Sequence, residues 1–197
     1  AVVDTLVDTV TKNFHISRKY YKRKAELLNQ KTLGYEERNV PLGEIDSHYV
    51  FKDSIRLVEN TFNRIDKEFG KIVKNFSKNG QYDVFAKQGK TGGAFCINIS
   101  KNLPTYILLN FNERLSDVLT IAHESGHGIH AELSKKQNAL NNGHPISLAE
   151  IASTFFEDFV LEEIMKTANN ELRFAVLAEK INSDVSSIFR QVAFYNF

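Results

Sequence analysis

Residues 123–127 read His-Glu-Ser-Gly-His, which places two histidines four positions apart with a glutamate directly after the first. On an α-helix, residues four apart lie about 40° apart around the axis and about 6 Å apart along it. Two imidazoles on that face can therefore converge on one metal ion. Glu124 leans to the side of the metal, from which its carboxylate can reach an attacking water without binding the ion.

The pattern HExxH on a helix is a known signature of zinc metalloproteases, but a chance match arises in roughly one chain in a hundred of this composition. Ala122 and Ile129 make the surroundings apolar. Without a metal, two histidines and a glutamate buried there would each need another polar partner. The sequence therefore favours one Zn²⁺ ion per chain, with His123 and His127 as ligands and Glu124 as the catalytic base.

A catalytic zinc site usually has three protein ligands and one open position, so the third ligand must come from elsewhere. His130 lies about 10 Å along the helix axis from His123, too far to share one ion with both histidines. We interpret His130 as a cleft residue or as a support for a ligand. Glu150 is the better candidate, because it opens a second predicted helix 23 residues after His127.

The other polar residues of the second helix have two interpretations. Glu157 and Thr154 share the face of the proposed ligand and either orient ligands through hydrogen bonds or are ordinary polar positions. Glu162 and Glu163 are expected on a solvated face. Cys96 is the single cysteine, so it excludes an intramolecular disulfide and is expected to be a small core residue.

Hydrophobic spacing predicts a mainly α fold with a small β-hairpin next to the HExxH helix. Ser116 and Ser147 are predicted to cap the two site helices. Residues 35–47 are predicted to form an extended connection. Helices are expected over residues 2–10, 16–33, 50–65, 67–78, 116–134, 147–168 and 171–197.

The whole chain, 1–197, is expected to be a single region of a catalytic domain. Its parts are helices over 1–80, a glycine loop and hairpin over 81–112, and the zinc-site helices over 113–197. Because the last predicted helix stops in mid-pattern, without a cap, we expect a fragment of a longer chain.

The predicted hairpin consists of AFCINI, residues 94–99, and TYILLN, residues 105–110. A flexible loop with Gly89, Gly92 and Gly93 precedes it. The edge of the TYILLN strand is predicted to hold a peptide in extended form through main-chain hydrogen bonds. The alternative is a hairpin with a purely structural role.

The composition argues against two classes of binding partner, nucleic acids and membranes. The formal net charge is +1, with 25 basic and 24 acidic residues, which gives no sign of a nucleic-acid partner. No apolar run of about 18 residues is present, so no membrane partner is expected. A cysteine-poor chain without a secretory signal in residues 1–10 fits a cytoplasmic location.

Several segments together resemble the oligoendopeptidase F branch of the thimet-oligopeptidase-like metallopeptidases. These segments are GKTGGAF from Gly89, YILLNFNERLSDVLTIAHE from Tyr106, HESGH with Ile129 and His130 after it, LAEIASTFFE from Leu148, and the final IFRQVAFYNF. The likeness is clear from about Gln81 to Phe197. Ser125 departs from it, because the family often has a larger apolar residue there, and so does the loop over 136–146.

The resemblance implies a mainly helical catalytic domain with a deep channel, one zinc ion, and cleavage of short peptides. It makes His123, His127 and Glu150 the zinc ligands and Glu124 the general base. It also implies that residues assisting the transition state lie downstream, so the remainder of the full-length chain is an expected partner. Two other functions stay open: a zinc hydrolase with a non-peptide substrate, and a non-catalytic helical fragment or binding module.

Overall fold

The computed structural model describes residues 1–43 and 48–197. Helices hold 64% of the residues, which confirms the predicted mainly α class. The helices are α1 Val2–Lys12, α2 Phe14–Leu27, α3 Phe51–Ile65, α4 Lys67–Lys78, α5 Leu115–Ser134, α6 Ile146–Thr167 and α7 Asn170–Asn196. The strands are β1 Tyr82–Phe85, β2 Phe95–Ile97 and β3 Tyr106–Phe111.

The chain divides into two compact units, residues 1–45 with 168–197 and residues 46–167. Of the predicted extended connection over 35–47, residues 37–39 form a short 3-10 helix, and residues 44–47 lie outside the described residues. None of the described helices has the length and apolarity to cross a bilayer.

The first unit is built from α1, α2 and α7 around a buried lysine. The Nζ of Lys24 donates hydrogen bonds to the carbonyl of Arg38 at 2.5 Å and to Oδ1 of Asn182 at 3.1 Å. The Tyr20 hydroxyl donates to the same Oδ1 at 3.0 Å. Burial lowers the pKa of Lys24 and raises the pKa of Tyr20 to about 12. These bonds satisfy polar groups that would otherwise oppose helix packing.

The second unit contains α3 to α6 and a three-stranded sheet with the order β1-β3-β2. Strand β2 pairs with β3 in antiparallel fashion, as the predicted hairpin requires, whereas β1 pairs with β3 in parallel. Strand β1 is absent from the sequence prediction, because four residues after a helix give little periodic signal. The prediction that the TYILLN strand offers an edge is wrong: β3 is central, and β2 holds that edge.

Helix α5 forms the core of this unit. Val118, Ile121, Ala122 and Ile129 are almost fully buried, and the helix packs against α3, α4, α6 and the sheet. Burial on several sides explains why its hydrophobic pattern has no strongly polar face.

Both predicted caps of the site helices lie two residues too far along the chain. Helix α5 begins at Leu115, where Oδ2 of Asp117 accepts hydrogen bonds from the backbone N–H groups of Arg114 and Asn112 at 3.0 and 2.8 Å. A carboxylate at the third helical position thus reaches back to the free N–H groups, and Ser116 is not the cap. Helix α6 begins at Ile146, which places Ser147 inside its first turn.

Helix α6 is also tied to α3 by an ion pair. Glu163 lies 2.6 Å from Arg64 and 2.8 Å from Lys166, and its side chain is partly buried, with 22% exposed. These cations lower the pKa of Glu163, the hydrogen bond from Lys166 contributing most. Of the two residues predicted on a solvated face, Glu162 is exposed, whereas Glu163 is partly buried and pairs with Arg64 of α3.

We expect Gly70→Ala to destabilise the second unit, because α3 and α4 touch at this glycine. A Cβ atom there would lie 2.4 Å from the Cβ of Asn63 and 2.8 Å from its Cα, so backbone would have to move. Overpacking of this kind costs roughly 1–3 kcal/mol of unfolding free energy. Chemical denaturation measures the change, with Ser77→Ala on the exposed face of α4 as control; equal stabilities would contradict the assigned contact.

Candidate metal centre

The site lies where α5 and α6 cross at Gly126. A Cβ atom on Gly126 would lie 2.9 Å from the Cα of Ser153 and 3.0 Å from Cδ2 of Phe156. Only a residue without a side chain therefore permits this helix spacing. Ser153 and Phe156 are buried, and the aromatic ring also packs against Phe62 of α3. The approach brings the beginning of α6 to the histidines of α5.

His123, His127 and Glu150 converge. Nε2 of His123 lies 3.4 Å from Oε2 of Glu150, and Nε2 of His127 lies 3.8 Å from Oε1 of Glu150. One ligand atom from each residue lies within 4.8 Å of the other two. The structure thus brings together the three side chains that the sequence suggested as metal ligands.

This arrangement fits a metal ion. Ligand atoms bound to tetrahedral zinc lie about 3.4 Å from one another, given bonds of about 2.1 Å, and the observed separations begin at that value. Two imidazoles and one carboxylate form the donor set of known catalytic zinc sites. The Oε2 atom of Glu124 is buried without a hydrogen-bond partner among the described residues, which leaves a lone pair for a water beside such an ion.

Glu124 is held by the edge strand. It is 7% exposed, and its carboxylate accepts a hydrogen bond from the backbone N–H of Cys96 in β2. Burial is the main cause that raises the pKa of Glu124, and the positive charge of His123 opposes it. A carboxyl group with a raised pKa holds a proton more readily than one in water, as proton transfer requires. The thiol of Cys96 is largely buried, which raises its pKa to about 12 and makes it inert.

Glu157 orients the first histidine. Its Oε2 lies 3.1 Å from Nδ1 of His123, so the ring's N–H donates to the carboxylate and Nε2 faces Glu150. This is the supporting position that the sequence suggested for Glu157. The hydrogen bond is also the largest cause that raises the pKa of His123. Burial, together with the charge of His123, lowers the pKa of His127.

Ser153 and Thr154 act locally on Glu150. Oγ of Ser153 lies 3.2 Å from Oε2 of Glu150 and 3.1 Å from the backbone carbonyl of Glu150, so its one proton is shared between these oxygens. The contact with Oε2 limits the rotation of the carboxylate. The Thr154 hydroxyl donates to the backbone carbonyl of Glu150, a bond within the helix. The suggestion that Thr154 orients a ligand side chain is therefore wrong, and Ser153 holds that position.

Ser125, in the middle of the HESGH stretch, is fully buried and lies 2.8 Å from the hydroxyl of Tyr82 in β1. Burial raises the pKa of Tyr82 far above its usual value, so the hydroxyl stays protonated. The pair connects the sheet to the site helix on the side away from the histidines. Sequence reasoning missed it, although a serine in place of a larger apolar residue was a sign that a polar partner exists.

The glycine-containing loop before β2 is fixed by two side chains. Nζ of Lys90 donates to the carbonyls of Asp83 and Phe85, both at 3.0 Å, and pairs with the Asp83 carboxylate at 3.1 Å. Nδ2 of Asn110 donates to the carbonyls of Thr91 and Gly93 at 2.9 and 2.7 Å. The loop was predicted to be flexible, but these bonds hold it against β1 and β3.

Residues 59–197 match the sequence profile of peptidase family M3. The chain belongs to peptidase family M3. It is 33% identical over its whole length to an oligoendopeptidase F homolog of Borreliella burgdorferi and 29% identical to one of Lactococcus lactis. It spans about a third of the length of these curated M3 relatives. The resemblance to oligoendopeptidase F is thereby confirmed.

Solved structures agree with the family. A Chlamydophila abortus protein described as a peptidase superposes on 97% of this M3 chain with a TM-score of 0.82 and 30% identity. The match covers 32% of that protein. An oligoendopeptidase F structure from Bacillus anthracis gives a TM-score of 0.73 at 21% identity, which supports the fold alone.

We expect Gly126→Ala to weaken zinc binding by at least about tenfold, because a methyl group would separate α5 from α6 and move Glu150 away. Competition with a chromophoric chelator measures the dissociation constant. Gly128→Ala is the matched control: its Cβ would meet the Phe76 ring at 2.6 Å, on the side of α4. Both variants should lose stability, but only Gly126→Ala should lose affinity, and equal affinities would contradict the assignment.

Glu157→Ala should weaken zinc binding about 10- to 100-fold, the usual effect of removing the hydrogen-bond partner of a ligand histidine. Isothermal titration calorimetry on the metal-free protein measures the affinity. Glu162→Ala removes an exposed carboxylate from the same helix and should leave the affinity unchanged. If the two variants bind zinc equally well, Glu157 does not orient His123.

Proposed function

We propose that this chain carries the active site of a zinc-dependent endopeptidase that hydrolyses short peptides. The observation that carries the proposal is the convergence of His123, His127 and Glu150 beside the buried carboxylate of Glu124. Membership of peptidase family M3 supports peptide-bond hydrolysis as the reaction. Because the chain spans about a third of its relatives, the activity and the substrates of the whole protein belong to the proposal.

Zinc is the proposed metal, since two imidazoles and a carboxylate suit it better than the all-oxygen sites of calcium or magnesium. When bound, zinc supplies Lewis acidity, which makes a water easier to deprotonate and polarises a peptide carbonyl. The chain's own part is to fix the three ligand side chains. The Glu157 carboxylate holds His123, and the Ser153 hydroxyl holds Glu150.

Glu124 acts as the proton carrier. Its carboxylate accepts a proton from the attacking water as the oxygen bonds to the scissile carbon. It then delivers that proton to the amide nitrogen as the carbon–nitrogen bond breaks, so the base is regenerated. The Cys96 N–H fixes the carboxylate, while the unpartnered Oε2 remains available to the water. The pKa raised by burial favours the protonated form that the second half of the cycle needs.

We propose that the outer edge of β2 binds the substrate backbone. Among the described strands, β2 pairs with β3 alone. The Cys96 N–H on this edge donates to Glu124, so the edge runs past the catalytic base and offers a peptide its remaining main-chain groups. An extended peptide can pair there main chain to main chain, which selects peptides in strand conformation over folded proteins. Phe95 and Ile97 are about 40% exposed on this strand and can contact substrate side chains.

Glu124→Gln should abolish hydrolysis, with zinc affinity changed by less than about threefold, because glutamine keeps the shape but cannot take up the proton. The assay is cleavage of a panel of quenched fluorescent peptides by the full-length protein, with Glu162→Gln as control. Activity of the Glu124→Gln variant near the wild-type level would remove the base assignment. Failure of the wild type to cleave any peptide while it binds zinc would favour a non-peptide substrate.

The same variant gives a metal-independent test. A folded-state pKa raised by burial means that ionised Glu124 opposes folding above that pKa, whereas the protonated form does not. The metal-free Glu124→Gln protein should therefore be more stable than wild type at neutral pH, and the difference should shrink as the pH falls. Thermal denaturation as a function of pH measures it. A difference independent of pH would contradict the burial of the ionisable Glu124 side chain.

A further inference from the structure

The segment between α5 and α6, residues 135–145, is weakly attached at its centre. No hydrogen bond of residues 139–144 reaches another helix or strand in the part of the chain that the structure describes. The bonds present are local: Oδ1 of Asn138 accepts from the backbone N–H groups of Leu140 and Asn141. Leu140 is 95% exposed, and Ile146 at the start of α6 is 78% exposed. Apolar burial therefore does not fix this end of α6.

One ring contact connects this segment to α5. The imidazoles of His130 and His144 stack with their centroids 4.0 Å apart and their planes 24° apart. His130 is partly buried, and its Nδ1 has no hydrogen-bond partner among the described residues. Burial, and then the charge of His144, lowers the pKa of His130. Face-to-face contact between flat rings limits sliding and tilting of the loop.

The position of this stack links both ends of the zinc site. His130 follows His127 by three residues, one helical turn along α5. His144 precedes Glu150 by six residues and the first residue of α6 by two. Helix α6 is held by the crossing at Gly126 and, further along, by Phe156 against Phe62 and by the Arg64–Glu163 ion pair. These contacts all follow Glu150 in the chain, whereas the ring stack lies before the helix begins and so acts on the other side of Glu150.

We infer that His144 is a positioning residue: its ring, stacked on His130, holds the start of α6 so that Glu150 meets His123 and His127. This inference rests on the proposed zinc site. It assigns a role to the loop between the two site helices. It also gives His130, which is too far along α5 to bind the ion, a function in the site.

The test compares three substitutions in the full-length protein. His144→Ala removes the ring, His144→Phe keeps a flat ring without nitrogen atoms, and Leu140→Ala changes an exposed side chain of the same loop. Zinc affinity is measured by chelator competition. Hydrogen–deuterium exchange of the first two turns of α6 is measured on the metal-free protein. Because His144 and Leu140 are exposed, the variants are expected to fold.

We expect His144→Ala to bind zinc about tenfold more weakly, as for other residues that orient ligands, and to exchange faster at the start of α6. His144→Phe should restore both properties to within about twofold, and Leu140→Ala should match wild type. Unchanged affinity and exchange in His144→Ala would overturn the inference. A His144→Phe variant as weak as His144→Ala would also overturn it, because the nitrogens and not the stack would then matter.

The same measurements distinguish a failure of the proposed zinc site from a failure of the positioning role of His144. If the wild type does not bind zinc, the zinc site is wrong. The exchange measurement then still shows whether the ring holds α6, since it needs no metal. If the wild type binds zinc and His144→Ala binds equally tightly with equal exchange, the site stands and only the positioning role is lost.

Discussion

The distance between α5 and α6 at Gly126 controls the rest of the site. A helix pair with ordinary side chains at the crossing would separate by more than Gly126 and Ser153 allow, and a carboxylate on α6 would not reach imidazoles on α5. The crossing is supported from behind by Phe156 against Phe62 and by the Arg64–Glu163 ion pair. The geometry of three polar side chains therefore depends on a contact between small residues and on an apolar core.

The site also contains a group that the fold does not satisfy. Glu124 is buried beside two histidines, and one of its oxygens has no partner among the described residues. Such a group costs stability, and natural proteins usually avoid it. Its place at the centre of α5, among almost fully buried residues, fits the proposed role of a proton carrier, which needs an oxygen left open to a water.

The helices and the three candidate metal ligands could be predicted from the sequence, because they depend on residues that are close together in the chain. Helical spacing places His123 and His127 on one face of α5, and the loop between α5 and α6 is long enough to return Glu150 to that face. The caps and the role of Thr154 were local errors of one or two positions, whereas the larger errors were non-local. The sheet order depends on β1, a strand that pairs with β3 from more than twenty residues upstream, so the edge was assigned to the wrong strand. The place of Glu163 depends on Arg64, about a hundred residues away, which no periodicity indicates.

The hydroxyl pair of Tyr82 and Ser125 has an evolutionary consequence. Each hydroxyl is buried and relies on the other, so replacing one with an apolar group leaves the second without a partner. Relatives with a larger apolar residue at position 125 should therefore lack the tyrosine hydroxyl, and the two positions should change together across the family. The residue at position 125 of the HESGH motif would then mark a subgroup of the family, namely the members that carry a tyrosine at the position of Tyr82 on β1.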